Sequence, residues 1–418
     1  MIADSLIFIR SAHFAATLLA SGTVCFMALV AAPSTRPPRD IAALRWRLNV
    51  MTWVGLALAV LTGAMWLVWL AADILGEPLI DVCLHGGVLS VLTDTRFGWV
   101  WCMRAALAIL LAFLILDPGW RVFQVVAASA LLVLPAFVGH AGATPGLKGV
   151  VPLASDAAHL LAAGVWLGAL PAFAMLLWTA GQKKTQSWPD FVVAATRRFS
   201  MLAAAAVGVL LTSGIVNGLS LLGSLRGLWT TDYGRVVVLK GILLGAMIAV
   251  ASVNKFHLTP QLPAAMALRR LRRNSLAEIA IGLCVLLLVG FLGRLQPAAH
   301  VHPVSTPVPA DAAFTHIHTP EAMAEVTINP GRAGHAKVTI RVMREDFSDF
   351  AAKDVRVILE PPPGSGTPNE YATARQSDGS WTIADVVLPQ PGTWTVQVIV
   401  IGRSGEAIVL DAPVAIAR

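Results

Sequence analysis

The sequence predicts an α-helical polytopic membrane protein of about eight transmembrane helices, with two parallel four-helix repeats as a candidate organisation, followed by a C-terminal all-β sandwich. Three observations predict it. Of 418 residues, 56% are hydrophobic and only 13% are charged, about half the charge of an ordinary soluble domain. Apolar runs of the ~20 residues that a bilayer core demands recur as far as Gly293. Beyond Gly293 the apolar runs shorten, alternate with polar residues and are punctuated by Gly, Pro, Asn and Asp.

Taken in order, the spans are expected at Ser5–Ala32, Leu48–Ala72, Gly98–Leu116, Trp120–His140, Val151–Ala180, Phe199–Leu222, Gly234–Val253 and Leu276–Gly293. The first ends in Ala31-Ala32-Pro33, which resembles a signal-peptide cleavage site. It is expected to be retained, because it is too long, lacks a basic leading region and carries Arg10 and His13. Alternate loops collect fourteen Lys and Arg against five in the other set. That asymmetry places the basic loops in the cytoplasm and both termini on the outer face. The net charge of +7 lies between apolar runs rather than on a nucleic-acid-binding face. Cys25, Cys102 and Cys284 fall in or near apolar segments and Cys83 in a loop, so no disulfide framework or cysteine-based zinc site is expected.

The two halves of the membrane part look alike. His13 stands nine positions before Gly22, and His159 nine before Gly168. The next spans carry Leu61-Thr62-Gly63 and Thr212-Ser213-Gly214. The third open on Phe97-Gly98 with Arg104 beyond, and on Tyr233-Gly234 with Lys240 beyond.

His13 and His159 each lie about 12 Å below the outer face, and His140 lies near that face at the end of the fourth span. Ionisable groups within a bilayer are costly, which makes them functional candidates. Imidazole binds copper, zinc and haem iron. His13 shares its helical face with Ala16, Thr17 and Ala20. Gly164, Gly168 and Ala172 form a small-residue stripe on the span of His159. Asp156, at i−3, is a candidate outer partner fixing the His159 tautomer. Arg104 and Lys240 either snorkel or hold an anionic group, such as Asp156 or a haem propionate.

A Pro- and His-rich linker is expected at 297–313 and a β domain at 314–418, with strands at Ala324–Ile328, Lys337–Met343, Val355–Leu359, Trp381–Val387, Trp394–Ile401 and Ala407–Leu410. His300, His302, His316 and His318 cluster at its start, with Met323 close by. His-x-His in an extended chain puts both rings on one face. Two imidazoles with a thioether make a candidate copper site, with Glu321, Glu325 and His335 as further donors.

The stretch Ser155–Pro171 (SDAAHLLAAGVWLGALP), together with Gly139-His140-Ala141, Arg10 with His13, and Asn254 through Pro260, resembles the CopD family of bacterial copper-resistance membrane proteins. The resemblance covers most of 1–296. Thr315–Thr319 and Met343–Phe347 resemble the small periplasmic β domains related to YtkA and FixH. What the resemblance implies is copper handling at the inner membrane, with the family's histidines falling on His13, His140 and His159, and a periplasmic copper chaperone as a candidate partner. The expected function is therefore copper capture by the periplasmic histidines and delivery to the intramembrane ones. Two alternatives stay open: a haem-bearing electron-transfer protein and a scaffold for oxidase assembly. No motif for ATP hydrolysis or other catalysis is recognised, so no enzyme activity is expected.

Overall fold

A computed structural model describes residues 2–32, 38, 41–75, 78–138, 147–182, 187–222, 227–295, 309, 311–319, 322–344, 349–362, 366–402 and 405–417. The chain forms two compact units, Met1–Val301 and His302–Arg418.

The first unit carries eight helices long and apolar enough to cross a membrane. They are span 1 (Ser5–Ala31), span 2 (Ala42–Leu75), span 3 (Arg96–Ile115), span 4 (Pro118–Phe137), span 5 (Gly149–Gln182), span 6 (Ser187–Leu219), span 7 (Asp232–Gln261) and span 8 (Ala265–Leu292). The shortest has 20 residues, or ~30 Å of helix, which matches the hydrocarbon core. Large apolar side chains such as Ile109, Phe113 and Val122 stand more than 70% exposed on the outside of the bundle. In water such a surface would be a liability, whereas in lipid it is the expected solvent face.

Several helices run further than the apolar pattern suggests. Span 2 starts six residues early and span 8 eleven residues early, both across basic segments. Backbone hydrogen bonding does not stop where side chains become polar. Arg47 also packs in place, its guanidinium 4.4 Å from the Trp178 ring and donating to Thr179 Oγ1 at 3.1 Å. Cys83, expected in a loop, lies in a short helix, Leu79–Leu84. All four cysteines are free thiols.

Spans 1 and 5 cross with their backbones in contact. A Cβ on Gly22 would overlap the Gly168 carbonyl, and one on Gly168 would overlap the Leu18 carbonyl oxygen. Lipid supplies no hydrophobic drive between helices, so this approach rests on van der Waals packing that only small residues permit. Ala16, Ala20, Ala169 and Ala172 continue the buried small-residue surface. Span 5 relaxes into a π-turn at Gly164–Gly168, and span 7 into another at Asn254–Leu258.

The halves share local structure at matched positions. Thr95 accepts from the Gly98 amide at 3.0 Å and donates to the Val91 carbonyl at 2.6 Å. Thr231 accepts from the Gly234 amide at 3.0 Å and donates to the Gly227 carbonyl at 2.7 Å. Each threonine caps the third span of its half, an arrangement that contributes about 1 kcal/mol. Gly98 and Gly234 are needed because a Cβ on either would strike the preceding short helix.

The second unit is a β-sandwich. One sheet has the order β1-β2-β3-β7-β6 and the other β5-β4-β8-β9. The strands are β1 Ala313–His318, β2 Met323–Asn329, β3 Gly334–Met343, β4 Ala352–Glu360, β5 Asn369–Ala372, β6 Ala374–Arg375, β7 Trp381–Leu388, β8 Gly392–Gly402 and β9 Ala407–Ile416. Val326, Ile340, Val357, Val398 and Leu410, all fully buried, fill the space between the sheets with Trp381 and Trp394. Strand β1 was not expected. Its first residue, Ala313, was assigned to the linker, and the polar Thr315, His316 and His318 mask a strand in which Ile317 is deeply buried. The six expected strands are present, each longer by a few residues.

Replacing Gly168 by Leu is expected to separate spans 1 and 5 and cost ~3 kcal/mol or more, by the logic of overpacking. Thermal unfolding of the detergent-solubilised protein followed by Trp fluorescence checks this. Gly208→Ala, at a glycine with open space around it, should leave the midpoint unchanged or slightly higher.

Candidate metal centres

Span 1 holds His13 at 3% exposure inside the first half. Its Nδ1 lies 3.2 Å from Thr62 Oγ1 on span 2. The Thr62 hydroxyl proton is already given to the Leu58 carbonyl at 2.6 Å, so Thr62 accepts and His13 Nδ1–H donates. On the other side of the ring, Arg104 Nη2 lies 2.7 Å from Nε2. A guanidinium only donates, so Nε2 carries the lone pair. Both contacts therefore require the same neutral tautomer.

Arg104 does not snorkel, and among the described residues it meets no carboxylate. It is 5% exposed and also donates to the Leu131 carbonyl at 2.6 Å and Thr17 Oγ1 at 3.3 Å. Its Cζ lies 5.3 Å from the centre of the Trp101 ring. Neutral acceptors and a π-face thus compensate the buried charge. Trp101 stacks on His13 with centroids 5.7 Å apart, and Trp66 meets the imidazole edge-on at 5.5 Å. A cavity of about 280 Å³ adjoins this group, lined by His13, Gly63, Trp101, Cys102 and Arg104 among others.

The second half repeats the first contact and alters the second. His159 Nδ1 lies 2.9 Å from Ser213 Oγ, and Ser213 gives its own proton to the Val209 carbonyl at 2.6 Å. His159 Nδ1–H is again the donor, so in the neutral imidazole Nε2 carries the lone pair. Here, among the described residues, no hydrogen bond engages Nε2. Lys240, at the position matching Arg104, interacts electrostatically with both Asp156 and His159. Asp156 was expected to fix the His159 tautomer. It accepts instead from Asn217 Nδ2 at 2.9 Å, and Ser213 does the orienting. Thr62 and Ser213 were visible in the sequence as matched positions, but hydroxyls on neighbouring apolar helices give no pattern that pairs them with a histidine.

In the β domain, the register of sheet β1-β2-β3 sets His318 opposite Met323 and Met323 opposite Met343. One step along, His316 is opposite Glu325, with Nδ1 3.9 Å from Oε1. The sheet thus aligns His316, His318 and Met323 as the spacing suggested, and adds Met343. That residue was not singled out as a donor because its partner lies twenty positions away in sequence. His335 belongs elsewhere, its Nδ1 2.8 Å from Asp385 Oδ1. His140, His300, His302 and Glu321 lie outside the described residues. Among the described residues, no group of three or more His, Cys, Asp or Glu side chains is close enough to hold a metal ion.

The fold is that of a multi-pass membrane protein with oriented histidines at matched positions of its two halves, followed by a β domain carrying a His/Met row. Residues 1–150 match the profile of "Copper resistance protein D-like, N-terminal domain", and residues 193–292 that of "Copper resistance protein D". These two stretches of the membrane part are thus similar to the copper resistance protein D family. Among curated relatives, "Copper transport protein CutJ" of Bacillus subtilis (strain 168) is 26% identical over 75% of this chain and 57% of its own length. The chain thus spans little more than half of that relative. "Inner membrane protein YebZ" of Escherichia coli (strain K12) is 27% identical over 71% of the chain and all of its own length. "Copper resistance protein D" of Pseudomonas syringae pv. tomato is 29% identical over 50% of the chain and 71% of its own.

Histidine ¹⁵N NMR tests the tautomer assignment. His13 and His159 should both give Nδ1–H signals. Ser213→Ala should perturb His159 alone, and Arg104→Met His13 alone. Co-variation of the two signals in either variant would contradict separate environments.

Proposed function

We propose that this protein binds copper at an outer site and moves or delivers it through the membrane domain of a bacterial inner membrane, with both termini in the periplasm. The observation that carries the reading is the bare Nε2 of His159, on an imidazole fixed through Nδ1 by Ser213. A metal-binding imidazole needs its second nitrogen held by an acceptor, which sets the tautomer and aims the lone pair. The relatives named for copper transport and copper resistance support the choice of copper.

In this reading His316, His318 and Met323, joined by Met343, take copper first, and a periplasmic copper chaperone is a plausible donor. His159 receives it within the membrane, and His140 supplies a further ligand. Asp156 offsets the charge of Lys240, which would otherwise repel a metal cation. His13 serves as the second intramembrane position, closed while Arg104 donates to Nε2 and opened when that guanidinium turns away. The same Arg104 contact counts against haem, since iron ligation would need the nitrogen that Arg104 engages. Arg104 and Lys240 are then partners of the histidines, not of propionates.

The test uses the full chain in proteoliposomes, measuring bound copper and its transfer across the bilayer. His159→Ala should abolish transfer and remove the membrane-bound copper. Met343→Ala should weaken outer-site binding by about tenfold, the scale of losing a supporting metal contact. Normal transfer in His159→Ala would overturn the proposal. If copper handling survives every histidine substitution but not deletion of the β domain, the scaffold alternative is correct.

A further inference from the structure

The inner half of the bundle holds a second polar site that the copper reading does not use. Glu278, on span 8, is 2% exposed. It lies five residues, or ~8 Å of helix rise, beyond Arg273 in the basic segment that opens this span. Asn254 Nδ2 donates to Glu278 Oε1 at 2.7 Å, and Asn254 Oδ1 in turn accepts from Asn274 Nδ2 at 2.8 Å. The Trp166 side chain, itself 1% exposed, also hydrogen-bonds to Glu278. Asn254 and Trp166 both sit on π-turns, Asn254–Leu258 in span 7 and Gly164–Gly168 in span 5. Single π-turns within α-helices recur at functional sites, since they turn a side chain out of the regular helical register. Here two of them turn side chains onto one carboxyl.

Beside Glu278 is a cavity of about 210 Å³, lined by residues of spans 5, 6, 7 and 8. Its walls are mostly apolar but carry several hydroxyls, and it is large enough for several waters. Ser252, Thr259 and Ser275 line it with hydroxyls bonded back to their own helices. Thr196 differs. It is 1% exposed, lines the same cavity, and its hydroxyl has no partner among the described residues. A buried hydroxyl left unbonded costs free energy unless something in the cavity bonds it.

The donor set decides the ligand. Among the described residues no Cys, Met or His lines the cavity, and these offer none of the soft ligands that Cu(I) prefers. Span 5 contributes Trp166, span 6 Thr196 and Ser200, and span 7 Asn254 and Lys255. Among the described residues Lys255 is the one charged lining residue besides Glu278, and its ammonium stands 5.7 Å from the Phe256 ring centre. A carboxyl held by two neutral donors, beside a cavity with room for several waters and hydroxyls on its wall, is equipped to take and release a proton. We infer that Glu278 is a proton-binding site, exchanging through this cavity with the aqueous phase on the side of the basic loops. In the proposed transport function this proton would be the ion exchanged against copper, and that clause alone rests on the copper reading.

Infrared difference spectroscopy on the copper-free full-length protein, between acidic and alkaline buffer, tests the site directly. The wild type should show a carboxylic C=O band that titrates. Glu278→Gln should lose that band, Glu278→Asp should retain it at a shifted frequency, and Thr196→Val should shift it. Thermal unfolding confirms that each variant is folded. The same band in wild type and folded Glu278→Gln would overturn the inference. Because no copper is present, failure of the copper reading leaves this result standing, and a missing band leaves copper binding untouched.

Discussion

The membrane domain depends on the contact between Gly22 and Gly168. Backbone approach at this crossing brings spans 1 and 5 together along a seam of alanines, and no larger side chain fits there. Both histidines lie nine residues N-terminal to it, about 13 Å along their helices. They therefore share one depth without sharing one environment. Each is packed by the spans that follow it in its own half: His13 against Thr62 of span 2 and Arg104 of span 3, His159 against Ser213 of span 6.

That separation gives the two histidines different chemistry from the same fixing contact. A hydroxyl that has already spent its proton on a helix carbonyl can only accept, so it selects the Nδ1–H tautomer and leaves Nε2 as a lone pair. In the first half the lone pair is spent on a buried guanidinium. In the second half Lys240 interacts with Asp156 and His159, while Asp156 also holds Asn217. The duplicated position thus yields one closed and one open imidazole, and on this account copper binds at the open one.

Much of the fold was legible in the sequence, because bilayer thickness imposes a run length that composition alone reveals. All eight spans and the six main strands were recognisable in this way. Helix ends were not, because Arg45, Arg47 and Arg269 through Arg273 continue helices whose hydrogen bonding is indifferent to side-chain polarity. Strand β1 was hidden because an edge strand with Ile317 deeply buried among polar residues lacks clear alternation. The matched positions around His13, Thr62 and Arg104 were also visible, as were their counterparts. What those residues do to one another was not, since a pairing between helices depends on packing angles that spacing does not carry. Asp156 shows the difference: its i−3 position suggested His159, but the packing of span 6 gave it Asn217. Glu278 escaped notice for a similar reason, because its partners Trp166 and Asn254 come from two other spans and are presented by π-turns that no apolar periodicity announces.

The most direct test of the account is X-ray absorption at the copper edge on the full-length protein, with His316, His318, Met323 and Met343 replaced so that only the membrane domain can bind. The account predicts imidazole scattering around copper that persists in His13→Ala and disappears in His159→Ala. Imidazole coordination unchanged in His159→Ala would contradict it.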